Sequence, residues 1–347
     1  MHIAIIGKQG SGKSTLFRAL SGGEGPSRAE VAAIDVPDDR VDKLSAIFKP
    51  KKTTYVRIDV RDTAGIAQGD LKDEKANTKL LQQLRESDAF LLVLGSFEEG
   101  DDNPLETFHM FETEFMLADM IQIENRLQRI EKQTKDRDNP AQQQEKALLQ
   151  GCLAHLEMGS PLSTFTPLAE DDKSVRGFRF LSQKPVMVVF NCREDEVTRT
   201  DELETRLREK LPEAVPVVVA SARLEEELSV LEPEEHLALM ADFGIKEPLR
   251  GKIIRLARDT LGLISFLTVG EDECRAWSIR KGMTAQEAAG AIHTDLANRF
   301  IRSETVSYLD FMQYQGFAGC KKAGVWRLEG KQYVVQDGDI LSIRAGN

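Results

Sequence analysis

Residues 2–15 read HIAIIGKQGSGKST, and this stretch decides the fold. It begins with an apolar run that is typical of a buried strand, residues 7–14 match the pattern GxxxxGK[ST], and a helical pattern follows at residues 13–20. In such a strand–loop–helix unit, backbone N–H groups and the helix N-terminus bind phosphate oxygens. Lys13 would add a charge near the terminal phosphates, and the Ser14 hydroxyl would bind Mg2+. The predicted phosphate-binding residues are Gln9, Gly10, Ser11, Gly12, Lys13, Ser14 and Thr15.

A second motif, DTAG at residues 62–65, follows an alternating strand pattern at residues 55–61. An Asp at a strand end can hold a metal-bound water, and the amide of Gly65 can contact a γ-phosphate. The pattern DxxG is common on its own and gains specificity from its place one strand after a phosphate-binding loop. The predicted catalytic residues are Lys13, Asp62 and Gly65, and the predicted metal-binding residues are Ser14 and, through water, Asp62.

A third motif, NCRE at residues 191–194, occupies the position at which GTPases have NKxD. The Asp of NKxD accepts hydrogen bonds from two guanine nitrogens, whereas Glu194 is one methylene longer and Cys192 replaces the Lys that packs over the base. Selectivity for guanine should therefore weaken, and ATP becomes at least as suitable as GTP. The alternative is that Asn191 is only a turn residue at a strand end. The predicted base-binding residues are Asn191, Cys192, Glu194, Ser221, Ala222 and Arg223.

Short apolar runs separated by helical patterns predict an α/β fold, with a mostly parallel sheet and helices on both faces. The runs are residues 2–6, 55–61, 89–94, 185–190 and 215–220. The interval between the strands at 89 and 185 is too long for a simple crossover, and its apolar residues recur at helical spacing on both sides of residues 134–142. We predict a helical hairpin there; ordinary helices packed onto the sheet are the alternative.

The last third of the chain predicts a small α+β domain, with strands at residues 264–269, 333–335 and 340–343 and one helix at 284–297. Its tryptophans and basic residues either form a face for RNA or pack in the core of this domain. The predicted domains are an NTPase domain at 1–104 and 160–232, the hairpin at 105–159, connecting helices at 233–262 and the small domain at 263–347.

Composition excludes several classes of protein. The 347 residues are 41% hydrophobic and 30% charged, which is ordinary globular composition, and no apolar run approaches the length that spans a bilayer. Without a secretory leader, a cytoplasmic location is expected. The net charge of −11 argues against nonspecific coating of nucleic acid, and no DNA partner is expected. Residues 251–347 carry 13 basic and 11 acidic residues, so a polyanionic partner fits best there.

Taken together, these motifs resemble the YchF family of Obg-like P-loop ATPases and GTPases, over nearly the whole chain. The marks outside the nucleotide motifs are VPDDR at 36–40, KPKK at 49–52, EFMLAD at 114–119, RAW at 275–277, AAGAIHTD at 288–295 and QDGD at 336–339. The resemblance implies a P-loop NTPase domain with an inserted helical hairpin and a C-terminal TGS domain of the β-grasp fold. It also implies ATP hydrolysis, with GTP often accepted, and association with ribosomes through the hairpin and the TGS domain.

The switch regions depart from the family's pattern. The segment between Leu20 and Val36 is shortened and has no Thr to contact Mg2+, and the loop at 96–104 has no His of the kind implicated in hydrolysis. Position 66 is Ile, an apolar residue that is normal for this family, where Ras-type switches carry a Gln that positions water. The group that would activate the water stays unidentified, and slow hydrolysis is expected.

Two functions from different classes are compatible with these patterns. The first is a nucleotide-dependent switch that binds ATP or GTP with Mg2+, hydrolyses it slowly and associates with the ribosome or RNA. The second is a degenerate nucleotide- or RNA-binding protein without significant hydrolysis, as the shortened switch suggests. A small-molecule kinase would need an acceptor pocket and a lid, for which the sequence has no motif.

Overall fold

The computed structural model describes residues 1–22, 30–73, 75–95, 103–133, 140–170 and 175–346. They form two compact units: Met1–Ala33 with Asp59–Ile253, and Ile34–Ile58 with Ile254–Asn347. The strands are β1 (His2–Ile6), β2 (Val31–Val36), β3 (Lys52–Thr54), β4 (Val56–Asp62), β5 (Ala89–Leu94), β6 (Val186–Asn191), β7 (Val217–Ala220), β8 (Leu263–Thr268), β9 (Glu273–Arg280), β10 (Phe300–Ser307), β11 (Arg327–Glu329) and β12 (Asp339–Ala345).

The α-helices of the described residues alternate with these strands in the first half of the chain. They are α1 (Lys13–Ser21), α2 (Asp39–Phe48), α3 (Thr78–Glu86), α4 (Pro104–Gln133), α5 (Pro140–Glu157), α6 (Thr166–Glu170), α7 (Thr200–Arg208), α8 (Ala222–Leu228), α9 (Pro233–Asp242), α10 (Leu249–Thr260), α11 (Ala285–Ile292), α12 (Thr294–Asn298), α13 (Tyr308–Gln313) and α14 (Phe317–Ala323). Short 3-10 helices lie at Asp70–Lys72, Leu162–Thr164, Arg176–Phe178 and Glu194–Arg199.

The first sheet has the order β2-β4-β1-β5-β6-β7. Strand β1 pairs in parallel with β4 and β5, and β6 pairs in parallel with β5 and β7. Every residue of β5 is buried, as expected for a central strand that is covered on both faces. The predicted α/β fold with a mainly parallel sheet is confirmed. Because parallel strands end at the same edge, the loops after β1, β4, β6 and β7 lie together there.

The predicted helical hairpin is present as α4 and α5. Their apolar stripes meet in one cluster with Ile123, Ile130, Leu149 and Cys152 at its centre, all almost fully buried. Residues 134–139, at the predicted junction of the two helices, lie outside the described residues. Within the described residues, no helix combines the length and the apolarity that crossing a membrane requires.

The second unit is built on a sheet of order β11-β10-β12-β8-β9-β3. Neighbouring residues of β8 point to opposite faces, since Phe266 belongs to one apolar cluster and Leu267 to another. Trp277 packs against the first of these clusters and Trp326 against the second. The two tryptophans therefore do not share an RNA-binding face, and the core alternative describes them better.

Residues 34–58 belong to this second unit, although they lie between two nucleotide motifs in sequence. Val41 and Leu44 of α2 are buried in a cluster with residues of the C-terminal segment, and β3 pairs in parallel with β9. The compact units divide the chain differently from the predicted NTPase span of 1–104, since they group residues 34–58 with the C-terminal segment. The predicted domain boundaries themselves stay predictions.

Three details of the second unit differ from the sequence-based expectations. Residues 333–335 are not a strand, since Val334 makes only an isolated bridge with Thr284. The expected helix at 284–297 is two helices, because His293 has an extended backbone and its Nδ1 accepts a hydrogen bond from the amide of Asp295. Strands β9 and β10, which were not predicted from the sequence, are inner strands of the sheet, each next to an edge strand.

Candidate functional site

The phosphate-binding loop has the geometry that its glycines require. Gly10 and Gly12 adopt φ angles of 81° and 92°, which residues with a side chain rarely do. Helix α1 begins immediately afterwards at Lys13, whose side chain is 6% exposed and whose Nζ donates to the carbonyl of Lys8 at 2.6 Å. Burial lowers the pKa of Lys13, and the nearby Asp62 carboxylate opposes that shift. A phosphate in this loop would further favour the charged ammonium.

Two hydrogen bonds hold the DTAG segment against β1 and the residue after it against the start of the phosphate-binding loop. The Thr63 hydroxyl donates to the carbonyl of Ile5 at 2.7 Å, and the amide of Ile66 donates to the carbonyl of Gly7 at 3.1 Å. A Cβ on Gly65 would lie 2.9 Å from the backbone nitrogen of Gln9, so only glycine allows this approach. Thr63 was not among the predicted site residues, although a hydroxyl directly after an Asp at a strand end is a pattern that could have indicated it.

The side chains present fit a Mg2+ ion. Asp62 Oδ1 is buried and accepts no hydrogen bond from the described residues, which is costly for a carboxylate oxygen unless another group fills the place. Ser14 lies exposed in the first turn of α1, directly after Lys13. A hydroxyl and a carboxylate are oxygen donors of the kind that Mg2+ prefers.

Ile66, the residue after DTAG, is part of the apolar core. It is 1% exposed and belongs to the core cluster with Ala4, Ile6 and Leu71. Its side chain therefore has no part in positioning a water molecule. The two segments predicted to depart from the family's pattern, between Leu20 and Val36 and at 96–104, lie only partly within the described residues, since 23–29 and 96–102 are outside them.

Asn191 connects three of the predicted binding segments. Its Nδ2 donates to the carbonyl of Ser11 at 3.0 Å, and its Oδ1 accepts from the amide of Ala222 at 2.9 Å. A Cβ on Gly12 would lie 2.0 Å from Nδ2, which leaves no space for a side chain there. Asn191 is thus more than a turn residue, because it ties the phosphate-binding loop to the loop after β7.

The remaining base-motif residues fall into two groups. Cys192 is buried in the core cluster, and burial raises its pKa to about 11, so its thiol does not replace the missing Lys over a base. Ser221 is also buried and caps α8 by accepting from Leu224 N. Glu194, at the start of a 3-10 helix, and Arg223, in α8, are exposed and form an ion pair with Nε and Oε1 3.1 Å apart.

Two family models match the chain. Residues 263–346 match the YchF-GTPase_C family, described as a protein of unknown function, and residues 2–133 match MMR_HSR1, described as a 50S ribosome-binding GTPase. The Ribosome-binding ATPase YchF of Bacillus subtilis (strain 168) is 37% identical over an alignment of 358 positions that covers 98% of each chain. The chain belongs to the YchF family. The Ribosome-binding ATPase YchF of Pasteurella multocida (strain Pm70) is 36% identical, again over 98% of both chains.

A solved YchF structure has the same fold over nearly the whole length. The YchF GTPase of Schizosaccharomyces pombe matches with a TM-score of 0.82 and 28% identity, covering 99% of this chain and 97% of that one. The fold is that of a P-loop NTPase of the YchF family with its C-terminal domain, as the sequence motifs indicated.

Proposed function

We propose that this YchF-family protein is a Mg2+-dependent ATPase, accepting GTP less well, that associates with the ribosome. Nucleotide binding is supported by two buried charged groups. Asp62 Oδ1 is buried and accepts no hydrogen bond from the described residues, and the nearby Lys13 is also buried. A phosphate-bound cation would satisfy the first group, and phosphate oxygens would satisfy the second. Association with the ribosome is proposed from the relatives, since the YchF proteins of Bacillus and Pasteurella carry the name Ribosome-binding ATPase.

In this proposal, each residue acts on the phosphates in a defined way. The backbone amides of residues 9–15 bind the phosphate oxygens, and Lys13 donates to the β- and γ-phosphates. Ser14 and, through water, Asp62 hold Mg2+, which when bound would neutralise charge that develops on the phosphate oxygens. The amide of Gly65 contacts the γ-phosphate, so the conformation of the segment after Gly65 depends on whether that phosphate is present.

Hydrolysis is proposed to be slow because no described side chain takes the place of the usual water-positioning group. Ile66 is buried in the core, and the loop that carries a His in the family has none in this sequence. A ribosomal partner could supply or order that group. The alternative function, nucleotide binding without turnover, is favoured by this missing His and by the shortened segment between Leu20 and Val36. Either function would place the protein in the cytoplasm, where ribosomes are.

Binding and single-turnover assays test the proposal and separate the two functions. We expect calorimetry to detect binding of ATP in the presence of Mg2+. Lys13→Ala should weaken this binding at least tenfold, because it removes the phosphate-facing charge. Single-turnover hydrolysis should be slow alone and faster with ribosomes, with which the full-length protein should cosediment. Unchanged affinity in Lys13→Ala would contradict the phosphate site. Binding without turnover, with and without ribosomes, would establish the alternative.

A further inference from the structure

The carboxylate that should recognise a purine base is already paired within the chain. Glu194 follows β6 at the position of the base-recognising acid, and its Oε1 lies 3.1 Å from the Nε of Arg223. Arg223 comes from the loop and helix after β7, the second predicted base-binding segment. The two segments are also tied by the hydrogen bond from Ala222 N to Asn191 Oδ1, which holds together the stretches of chain that carry the pair.

The chemistry of this pair resembles guanine recognition. A guanidinium presents N–H donors on neighbouring nitrogens of one planar carbon, and the N1 and N2 donors of guanine have the same arrangement. The ion pair joins one atom of each group, Arg223 Nε and Glu194 Oε1, and a carboxylate oxygen that faces a guanidinium is not free to accept from guanine. We propose that Arg223 acts as an internal substitute for guanine: it occupies Glu194 and so disfavours GTP relative to ATP.

This inference rests on the proposed nucleotide function and names what sets the base preference of that site. Adenine has no pair of donors on this edge and does not need the Glu194 carboxylate, so the ion pair can persist when ATP is bound. GTP would have to displace Arg223 to reach the same oxygens. The displaced guanidinium would keep a second partner, since Glu227 Oε1, on the next turn of α8, lies 3.5 Å from Arg223 Nε.

The pair is exposed, which limits the size of the effect. The Arg223 side chain is 75% exposed and that of Glu194 43%, and exposed ion pairs are weak and salt-dependent. Removing the arginine should therefore change the ratio of GTP to ATP affinity about two- to fivefold. The exposure also means that substitution of Arg223 should leave the fold intact.

Calorimetric titration of the full-length protein with ATP and with GTP tests the inference. We expect Arg223→Ala to tighten GTP relative to ATP by about two- to fivefold. The double variant Arg223→Ala/Glu194→Gln should lose this gain, because an amide offers one acceptor where a carboxylate offers two. Arg223→Lys should fall between wild type and Arg223→Ala, since a lysine keeps the charge but not the planar pair of donors.

A matched control is Arg199→Ala, which breaks another exposed ion pair of the same unit, in which Arg199 lies 3.0 Å from Glu202. This variant should leave the ratio of GTP to ATP affinity unchanged. An unchanged ratio in Arg223→Ala would overturn the inference, and so would a gain that survives in the double variant. A wild-type ratio in Arg223→Lys would also overturn it, because charge alone would then suffice. Failure of the wild type to bind either nucleotide would instead overturn the proposed function.

Discussion

Gly12 lies at the closest approach between the phosphate-binding loop and the end of β6. Its φ of 92° alone disfavours a side chain, and any Cβ would lie 2.0 Å from Asn191 Nδ2. The same amide group donates to the carbonyl of Ser11, so a collision would disturb the loop that is predicted to hold the phosphates. Gly10 has a similar φ of 81°, but a Cβ there would meet no atom within 4 Å.

We therefore predict that Gly12→Ala weakens ATP binding at least tenfold more than Gly10→Ala. Both variants carry the cost of a left-handed backbone, about 1–2 kcal/mol, but only Gly12→Ala must also displace Asn191. Calorimetric dissociation constants measure the difference, and circular dichroism verifies that both variants fold. Equal losses in the two variants would show that backbone strain, and not the contact with Asn191, makes glycine necessary at position 12.

At the scale of single residues, motif spacing predicted which backbone segments meet but not how the side chains point. The pattern of glycines correctly placed the loop before α1, because positive φ angles leave few other residues possible. Spacing gave no means to tell that Cys192 packs into the core or that Arg223 pairs with Glu194. Both outcomes depend on which neighbours the sheet brings together, and single-sequence patterns do not contain that information.

At the scale of elements, a buried carboxylate joins the helical hairpin to the chain before β6. Asp119 of α4 is fully buried, and its Oδ1 accepts from Leu181 N at 2.9 Å. Its Oδ2 accepts from the amide of Ser182 at 2.8 Å and from the hydroxyl of the same residue at 2.7 Å. Burial raises the pKa of Asp119 to about 6, although these hydrogen bonds act in the opposite direction.

We predict that at pH 4 Asp119→Ala lowers the free energy of unfolding by about 2–3 kcal/mol, because buried donors lose their acceptor. The folded protein holds a proton on Asp119 between pH 4 and 6 that the unfolded chain has released. The contribution of this carboxyl to stability is therefore largest at low pH and falls as the pH rises through 6. The difference between wild type and variant should shrink over that range by at most about 3 kcal/mol.

Urea unfolding at pH 4, 5, 6 and 7 measures this effect. Glu124→Ala is the control, since Glu124 is an exposed carboxylate on the same helix, and it should change stability by less than about 0.5 kcal/mol at every pH. A difference between wild type and Asp119→Ala that grows as the pH rises from 4 to 6 would contradict the raised pKa.

Elements with continuous apolar runs were predictable, and those with mixed faces were not. Strand β5 was predicted with its observed bounds because all of its residues are apolar and buried. Strand β10 was missed because Ser303 and Thr305 look like surface residues. Both are fully buried, and their hydroxyls lie 3.0 Å apart in a hydrogen bond. Only tertiary packing supplies the partners that make such polar residues acceptable in a core.

At the scale of the whole molecule, the second unit is assembled from two distant parts of the sequence. Arg40, from the motif at 36–40, bonds to Asp38 and also donates to Asp337 Oδ2 at 2.8 Å. Asp337, from the motif at 336–339, also accepts from Ser265 N at 2.8 Å. Two of the sequence marks of the family therefore meet in one hydrogen-bonded cluster, which no pattern within either mark could predict.

This assembly changes how the C-terminal domain should be tested for ribosome binding. Deletion of residues 263–347 would remove most of the apolar cluster around Val41 and Leu44, which lie between two nucleotide motifs in sequence. A truncated chain would expose that cluster, so a loss of ribosome cosedimentation would not identify a binding surface. Point substitutions in the full-length protein avoid this ambiguity.

The last prediction concerns the carboxylate that joins the two parts of this unit. Asp337→Ala should lower the free energy of unfolding of the second unit by about 1–3 kcal/mol, because Arg40 and Ser265 N each lose an acceptor. Asp272→Ala removes the partner of Lys51, but both side chains are more than 80% exposed, so we expect a change below about 1 kcal/mol. Trp277 and Trp326, the two tryptophans of the chain, both lie in this unit, so fluorescence during urea unfolding reports on it selectively. Equal midpoints for the two variants would mean that Asp337 does not join the segment at 34–58 to the C-terminal part.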